Sequence, residues 1–462
     1  MYTIVLFGAG KSATVLIGYL KKLAADKYCK IIVADADLAA IQTKLGSQEY
    51  AEAVRLDISQ EKERRELIRV ADVIISLLPP GLHGILAKDC LLLRRHLLTA
   101  SYISDELKKL EPEILQQKLL FLCEMGLDPG IDHMSAMRLI HQIQRNQGKI
   151  RVFRSHCGGL VAPESDDNPW HYKISWNSRN VVLAGKAGAD YQINGKRIHQ
   201  DYLSLFDNNP QIKVPGIGTL AYYPNRDSLS YADRYRLHDT DTFIRTTLRH
   251  PDFCKGWKFL IELGLTNEEK KYATDGLTVA RFFKQYFEEI GSRAFSKGVT
   301  GNFSLPGSAK EFSLLFSNFL GTDSLQDADL LLEQLRYLGI ADEDTFINKG
   351  LCSAADILQR ILETKLLLRP DDRDMVVMVH EIEYETGSKV SRIVSRLVVR
   401  GTDALHTAMA KTVGLPLGIA AKLILENKIQ ERGLLIPVLP AIYLPVLQEL
   451  ESQGIRFEET TA

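Results

Sequence analysis

The sequence predicts an α/β protein: a Rossmann-type doubly wound parallel sheet first, then an α+β domain and a helical insertion. Three observations carry this. Apolar runs of strand length alternate with helical patterns up to about residue 125, the order that parallel βαβ units require. A glycine turn, GAGKSA (8–13), separates the first apolar run from the first helical pattern. Beyond residue 130 the alternation gives way to hairpin signals and then to helical periodicity.

The elements follow in order. TIVLF (3–7) is the first strand, and Val15, Leu16, Tyr19 and Leu20 mark the helix after the turn. Gly8 permits the tight turn, Gly10 lets backbone approach a pyrophosphate, and Ala13 is small enough for helix to pack on strand. The phosphates would sit at the helix N-terminus, beside Lys11 and Ser12, where free N–H groups favour anions. GAGKS ends like a P-loop, but the first glycine of that motif would fall at Val5, which excludes it. IIVADAD (31–37) is a second strand ending in Asp35, placed to bind both ribose hydroxyls of an adenosine and to repel a 2′-phosphate; its bland role is a helix cap. EAVRLD (52–57) is a third strand ending in Asp57. DVIISLLPP (72–80) is a fourth, almost continuously apolar, as a strand buried on both faces must be. HLLTAS (96–101) and LLFLCEM (119–125) are the fifth and sixth. Ligands on such sheets bind beyond the carboxyl ends of the strands. PPGLH (79–83), SYIS (101–104) and GLDPG (126–130) therefore converge where a nicotinamide would lie.

Later segments change texture. Met134, Met137, Ile140 and Ile143 mark a helix from Met134 to Gln144. KIRVFRSHCGG (149–159) alternates like a strand, and residues 162–180 form a long polar loop with aromatic interruptions, a kind that is often functional. Asn-Gly in QINGKRI (192–198) signals a hairpin; residues 375–385 and 390–400 form another. Residues 265–365 are helical in pattern and are expected to form a separate domain with its own core. TAMAKTVGLPLGIAAKLILENKI (407–429) reads as helix, a turn at Gly414–Pro416, and helix, in a C-terminal stretch (403–462) that can return to the first domain. The expected organisation is thus 1–128 for the dinucleotide, 129–264 with 366–402 for substrate, and 265–365 helical.

Composition excludes some functions. In 462 residues the formal net charge is −1 and no long basic run occurs, which argues against a nucleic-acid binder. The six cysteines include no CxxC pair, so no metal ligand set is expected, and a reducing compartment fits. MYTIVLFGAGKSA lacks the basic n-region of a signal peptide, and LLIPVLPAIYLPVL (434–447) is too short for a membrane span. A cytoplasmic protein without membrane contact is expected.

LTASYIS (98–104), EMGLDPGIDHM (124–134), CGGLVAPESDDNPWHYKISW (157–176), YYPNRDSL (222–229), IRTTLR (244–249), DDRDMVVM (371–378) and TVGLPLGIAAKLIL (412–425) fall in this order. Together they resemble saccharopine dehydrogenase of the L-glutamate-forming type, also called saccharopine reductase, over nearly the whole chain. The resemblance implies an enzyme of lysine metabolism acting on the secondary amine of saccharopine. The products would be L-glutamate and 2-aminoadipate 6-semialdehyde, with NAD or NADP as hydride carrier, in a homodimer.

It also implies site residues. Leu77, Ser101, Leu127, Asp128, Pro129 and Asn177 would join the glycine turn, Asp35 and Asp57 around the cofactor. Ser101, Tyr102, Asp128, Cys157, Gly158, Leu160, Trp176, Arg226, Thr247 and Arg249 would hold the substrate. The chemistry agrees: three substrate carboxylates call for arginine forks, with Arg245 close to the other two. Hydride leaves only from carbon beside an uncharged amine, so a base must take the amine proton. Asp128, His133, Lys173 and Tyr172 are all candidates by type, and Lys173 would need a depressed pKa. NADP-dependent members tend to carry an Arg–Thr pair after the second strand. Here ADAD stands there, which favours NAD. The alternatives are a carboxynorspermidine synthase-like dehydrogenase and a non-catalytic dinucleotide sensor.

Overall fold

The computed structural model describes residues 1–291 and 325–461. The chain divides into two compact units: Met1–Gly159 with Ser230–Phe243 and Arg373–Ala462, and Leu160–Leu229 with Ile244–Asp372.

The first unit opens with β1 (Tyr2–Phe7), α1 (Ala13–Ala25), β2 (Cys29–Asp35), α2 (Leu38–Leu45), β3 (Ala51–Arg55), α3 (Glu61–Val70), β4 (Val73–Ser76), α4 (His83–Leu92), β5 (His96–Thr99), α5 (Asp105–Gln116) and β6 (Leu120–Leu122). The strands pair in parallel in the order β6-β5-β4-β1-β2-β3. Order reverses between β1 and β4, the switch point where such sheets bind ligands. Every residue of β4 is buried, because helices cover both faces. One apolar cluster joins Val5, Ile32, Ile74, Leu97 and Phe121 to Leu86 of α4 and Ile114 of α5. The strands are shorter than the apolar runs: β4 stops at Ser76, and Pro80–Leu82 form a 3₁₀ turn instead.

After β6 come α6 (Ile131–Arg145), which starts three residues earlier than expected, and β7 (Lys149–Val161). The second unit contributes α7 (Ser178–Val182), β8 (Ala189–Ile193), β9 (Lys196–Gln200), β10 (Gln211–Val214) and β11 (Gly218–Pro224), then α8 (Leu229–Arg234) at a crossing between units. It continues with β12 (Thr242–Arg249), whose first two residues belong to the first unit, and with α9 (Pro251–Glu262), β13 (Lys271–Ala273), α10 (Val279–Ile290), α11 (Leu325–Tyr337), β14 (Leu351–Ser353) and α12 (Ala354–Lys365). The Asn-Gly hairpin is β8–β9, paired from Ala189↔Gln200 to Ile193↔Lys196.

Among the described residues the expected separate helical core is not found. Phe283 of α10, Leu335 of α11 and Leu358 of α12 share one core with Trp170, Tyr172, Phe253 and Trp257. The polar-looking loop 162–180 supplies two of that core's rings, and the Trp170 indole donates to the Gln334 carbonyl at 3.1 Å. Part of the expected helical insertion, 292–324, lies outside the described residues.

The chain then returns to the first unit with β15 (Asp374–Thr386) and β16 (Lys389–Arg400), a hairpin in full register. It ends with α13 (Ala408–Leu425), β17 (Gly433–Leu435), α14 (Pro440–Ser452) and β18 (Glu458–Thr461). β17 extends the parallel sheet by pairing with β6. The expected helix–turn–helix at 407–429 is instead one continuous helix, with Pro416 inside it. Its glycines serve packing rather than turning. A Cβ at Gly414 would stand 2.9 Å from Leu16 Cβ, and one at Gly418 would stand 2.6 Å from the Tyr19 ring. Small residues let α13 lie directly on α1, and that close packing overrides the local breaker signal. α13 is long and apolar enough to cross a membrane by composition, yet 83% of that window is buried inside the protein, as a core helix would be.

Candidate active site

The glycine turn follows from backbone contacts. Gly8 has φ 101° and a Cβ there would lie 2.9 Å from the Leu77 carbonyl, so only glycine fits. Its N–H donates to the Ala34 carbonyl (2.9 Å), and Leu77 N–H donates to the Phe7 carbonyl (2.8 Å). Leu77 is thereby fixed at the switch point. A Cβ on exposed Gly10 would meet nothing, which leaves the approach to the turn open. α1 begins without a side-chain cap on Ser12 and without acid in its first turn, so its first N–H groups suit a pyrophosphate. Gly8, Gly10, Lys11, Ser12 and Ala13 thus lie together between β1 and the start of α1.

Asp35 ends β2 and reaches across: Oδ2 accepts from Ala9 N–H at 2.7 Å and Oδ1 from Asp37 N–H at 3.0 Å. The capping role falls to Asp37, whose carboxylate accepts from Ala40 N–H at the start of α2. Lys44 went unnoticed in the sequence. Its ammonium donates to the Ala9 carbonyl and, at 2.7 Å, to the Gly10 carbonyl. Burial pushes its pKa down, against the pull of Asp35 and Asp37. Asp57 is exposed and engaged with Ser59 N–H (2.9 Å) and Oγ (2.8 Å), which hold its carboxyl below the usual range. It shapes the turn after β3.

A second residue missed in the sequence joins the strand ends. His83, buried at the start of α4, meets Ser76 Oγ through Nδ1 (2.8 Å) and Ser101 Oγ through Nε2 (2.8 Å), with Thr99 Oγ1 at 3.3 Å. Burial pushes its pKa down to about 4, so the imidazole is neutral near pH 7. It links the ends of β4 and β5 and fixes the Ser101 hydroxyl. Tyr102 follows, half-buried.

The GLDPG loop folds back on itself. Gly126 N–H donates to the Pro129 carbonyl (3.0 Å), Ile131 N–H to the Gly126 carbonyl (2.9 Å), and Asp132 N–H to the Leu127 carbonyl (3.0 Å). The Asp128–Pro129 bond is cis. A Cβ at Gly130 would fall 2.1 Å from the Gly126 oxygen. Asp132 accepts from Gly130 N–H at 2.6 Å, which makes it part of the helix start. Asp128 is left half-buried at the tip.

Beneath the loop lies a polar cluster in the core. Glu124, at φ 57°, accepts from Tyr231 Oη (2.9 Å) and faces His133 Nε2 (2.8 Å), while His133 Nδ1 meets Tyr235 Oη. The His133 and Tyr231 rings stack with centroids 5.0 Å apart. Burial alone would raise the Glu124 carboxyl; His133, Tyr231 and Arg234 outweigh it and hold the pKa down. His133 is fully buried with both nitrogens engaged, so it positions the loop and is not a base that reaches substrate. Cys157 and Gly158 lie buried on β7.

In the second unit, Arg249 and Thr247 come from β12, which pairs with β11 through Ala221↔Arg249 and Tyr223↔Thr247. The buried Arg249 guanidinium lies over the rings of Tyr172 (5.2 Å) and Phe253 (5.6 Å), a desolvated cation–π setting. Arg226 is exposed in the turn after β11, at φ 53°. Arg245 is buried, its backbone N–H bonded to Ser228 Oγ at 3.0 Å. Trp176 Nε1 donates to Tyr172 Oη at 3.0 Å, and Leu160 is buried. Two expectations change. Lys173, 3% exposed, donates to Asp372 (2.7 Å) and Asp167 (2.9 Å); its ammonium is a structural clamp rather than a free base. The Asn177 side-chain oxygen Oδ1 caps α7, accepting from Arg179 N–H (2.9 Å) and Asn180 N–H (3.3 Å), so that atom is spent within the second unit rather than offered to a cofactor.

Residues 4–121 match the family model described as the saccharopine dehydrogenase NADP binding domain, and residues 126–455 the one described as the saccharopine dehydrogenase C-terminal domain. The chain is 33% identical over 464 residues to the saccharopine dehydrogenase (NADP(+), L-glutamate-forming) of Saccharomyces cerevisiae, covering 99% of each protein. It is 34% identical over 438 residues to the alpha-aminoadipic semialdehyde synthase of Arabidopsis thaliana, covering 93% of this chain but only 40% of that longer protein. The solved apo saccharopine dehydrogenase (L-Glu forming) from Saccharomyces cerevisiae superposes with a TM-score of 0.85 at 31% identity, over the full length of both chains. Use of NAD(P) agrees with these matches. The NADP(+) in the yeast enzyme's name runs against the NAD preference expected from Asp35.

Proposed function

The chain belongs to the saccharopine dehydrogenase family, and we propose that it acts on saccharopine itself, as an NAD(P)-dependent oxidoreductase of lysine metabolism. The substrate's secondary amine is split to L-glutamate and 2-aminoadipate 6-semialdehyde, or formed from them. The observation that carries this reading is likeness to an L-glutamate-forming enzyme from end to end, at 33% identity.

Bound NAD(P)+ supplies the hydride acceptor. The protein's own groups do the rest. The uncapped start of α1 and the open face of Gly10 receive the pyrophosphate. Arg226 and Arg249 hold substrate carboxylates, each charged hydrogen bond contributing roughly 1.5–3 kcal/mol. Asp128 takes the proton from the secondary amine, so that hydride can leave the neighbouring carbon and water can split the resulting imine. Support for Asp128 is partly by elimination: His133 and Lys173 are buried and fully engaged. Ser101, in the loop after β5, offers a hydroxyl oriented by neutral His83.

Asp35 makes NAD the better carrier, because its carboxylate is fixed at the end of β2 where a 2′-phosphate would need a cation. Steady-state assays with saccharopine and each cofactor test both claims. No reduced nicotinamide with either cofactor overturns the reaction, and a tenfold or greater preference for NADP overturns the role of Asp35. The chain acts as a homodimer in the cytoplasm. Six buried cysteines, none of them in a disulfide among the described residues, suit a reducing compartment, the family resemblance supports the dimer, and a monomeric mass by light scattering would overturn it.

A further inference from the structure

We propose that His171, His250 and Asp252 form a binding site for one divalent ion of the zinc class, with Asp166 orienting His171 from behind. All four residues belong to the second unit. One ligand atom from each of His171, His250 and Asp252 lies within 4.8 Å of the other two. Asp252 Oδ2 stands 3.6 Å from His171 Nε2 and 3.7 Å from His250 Nδ1. Tetrahedral zinc, with bonds of about 2.0–2.2 Å, spaces its ligands by roughly 3.4 Å. A shift of a few tenths of an ångström therefore closes the shell on these two edges.

The surroundings favour a cation on this spot. His171 Nδ1 lies 2.6 Å from Asp166 Oδ2. Donating its Nδ1 proton to that carboxylate leaves an Nε2 lone pair 3.6 Å from Asp252 Oδ2, the carboxylate–histidine–metal arrangement of many zinc sites. Asp166 Oδ1 is buried without a hydrogen-bond partner, so the negative charge behind the site is incompletely compensated. The two imidazoles lie against each other, centroids 3.9 Å apart and planes tilted by 31°, which restrains both rings. Each is anchored: His171 sits at φ 47° in a turn closed by its N–H on the Asn168 carbonyl (3.0 Å), and His250 is the N-cap of α9, with Pro251 next.

His250 Nδ1 accepts from Asp252 N–H at 3.3 Å, long for such a bond and readily given up to a metal. The three ligand side chains are about one-third exposed (33%, 34% and 30%), so an ion has a path in and a water can fill the fourth position. Two imidazoles and one carboxylate suit zinc, cobalt or nickel and disfavour magnesium, which prefers oxygen and water. The bland alternative is a pair of helix-end contacts, His171 with Asp166 and His250 as a cap.

The full chain, stripped with chelator, is titrated with Zn2+ against a chromophoric competitor, with Co2+ as a spectroscopic substitute. One equivalent of zinc at micromolar or tighter affinity is expected, undisturbed by millimolar Mg2+. His171→Gln and Asp252→Asn should each weaken binding at least tenfold, and the Co2+ visible bands should report nitrogen and oxygen ligands. The proposal is overturned if the wild type takes up no stoichiometric zinc, if both variants bind as well as it does, or if the bands are those of thiolate. The readout is metal binding by soluble, folded protein, so failure here leaves the saccharopine reaction untouched, and failure of that reaction leaves this site standing.

Discussion

The strand ends of the first unit and the loop 162–177 of the second both gather polar groups, but they hold them differently. Around His83 in the first unit the partners are neighbours in sequence: His83 lies seven residues from Ser76 and 18 from Ser101. In the second, local pairs such as Lys173 with Asp167 are tied to remote partners: Lys173 and Asp372 are 199 residues apart, Trp170 and Gln334 164. Around His83 the first arrangement relies on the hydrogen bonds of a neutral imidazole and on backbone turns; the second relies on full charges set against rings and carboxylates. A short-range site keeps its geometry through local backbone, whereas a long-range one depends on the whole unit being folded. Substitutions in the first region should therefore act on chemistry, and those in the second on affinity or stability.

The largest effect expected is on turnover. Asp128→Ala should lower kcat by about a hundredfold or more while leaving the thermal midpoint close to wild type; near-normal kcat would reduce GLDPG to a turn. Next comes Arg226→Ala. The side chain is exposed, so stability should hold while KM for saccharopine rises by about 10- to 100-fold, the equivalent of one charged hydrogen bond. Lys173→Met should cost roughly 2–3 kcal/mol of stability, because two carboxylates lose their cation, yet the protein that remains folded should keep its kcat. A collapse of kcat at unchanged stability would make Lys173 the base and erase the contrast between the two regions.

A smaller effect separates Glu124 from its neighbours by pH. Its carboxyl is held below the ordinary value of 4.5 in the folded protein. The resulting stabilisation is fully present above that value and is lost as pH falls through the lower folded value. Thermal melts of Glu124→Gln against wild type should thus show a gap at pH 7 that narrows below about pH 4.5; a constant gap would deny the charge any part in it. Asp57→Ala should be the mildest, within about 0.5 kcal/mol, because the exposed carboxylate only ties a turn to Ser59.

What was legible in the sequence follows the same division. Gly8, Asp35 and the GLDPG turn announce themselves because backbone geometry restricts which residues can stand there. Lys44, His83 and Glu124 do not, since a lysine on a helix reads as solvated surface, and a histidine or glutamate after a strand carries no spacing that names its partner. The helical stretch was expected to have its own core because periodicity reports that a face is buried, not against what. The same limit made Gly414–Pro416 read as a turn, although the glycine is there to admit Leu16.

The edge strand β17 and the helix over α1 come from residues 433–435 and 408–425, yet they complete a sheet that begins at Tyr2. A ribosome releasing this chain therefore emits six strands of the nucleotide-binding half long before the seventh exists. Until the C-terminal segment emerges, β6 offers an open edge and α1 an uncovered apolar face. That sheet is therefore built across six of its strands early and closed only when residues 408–435 emerge.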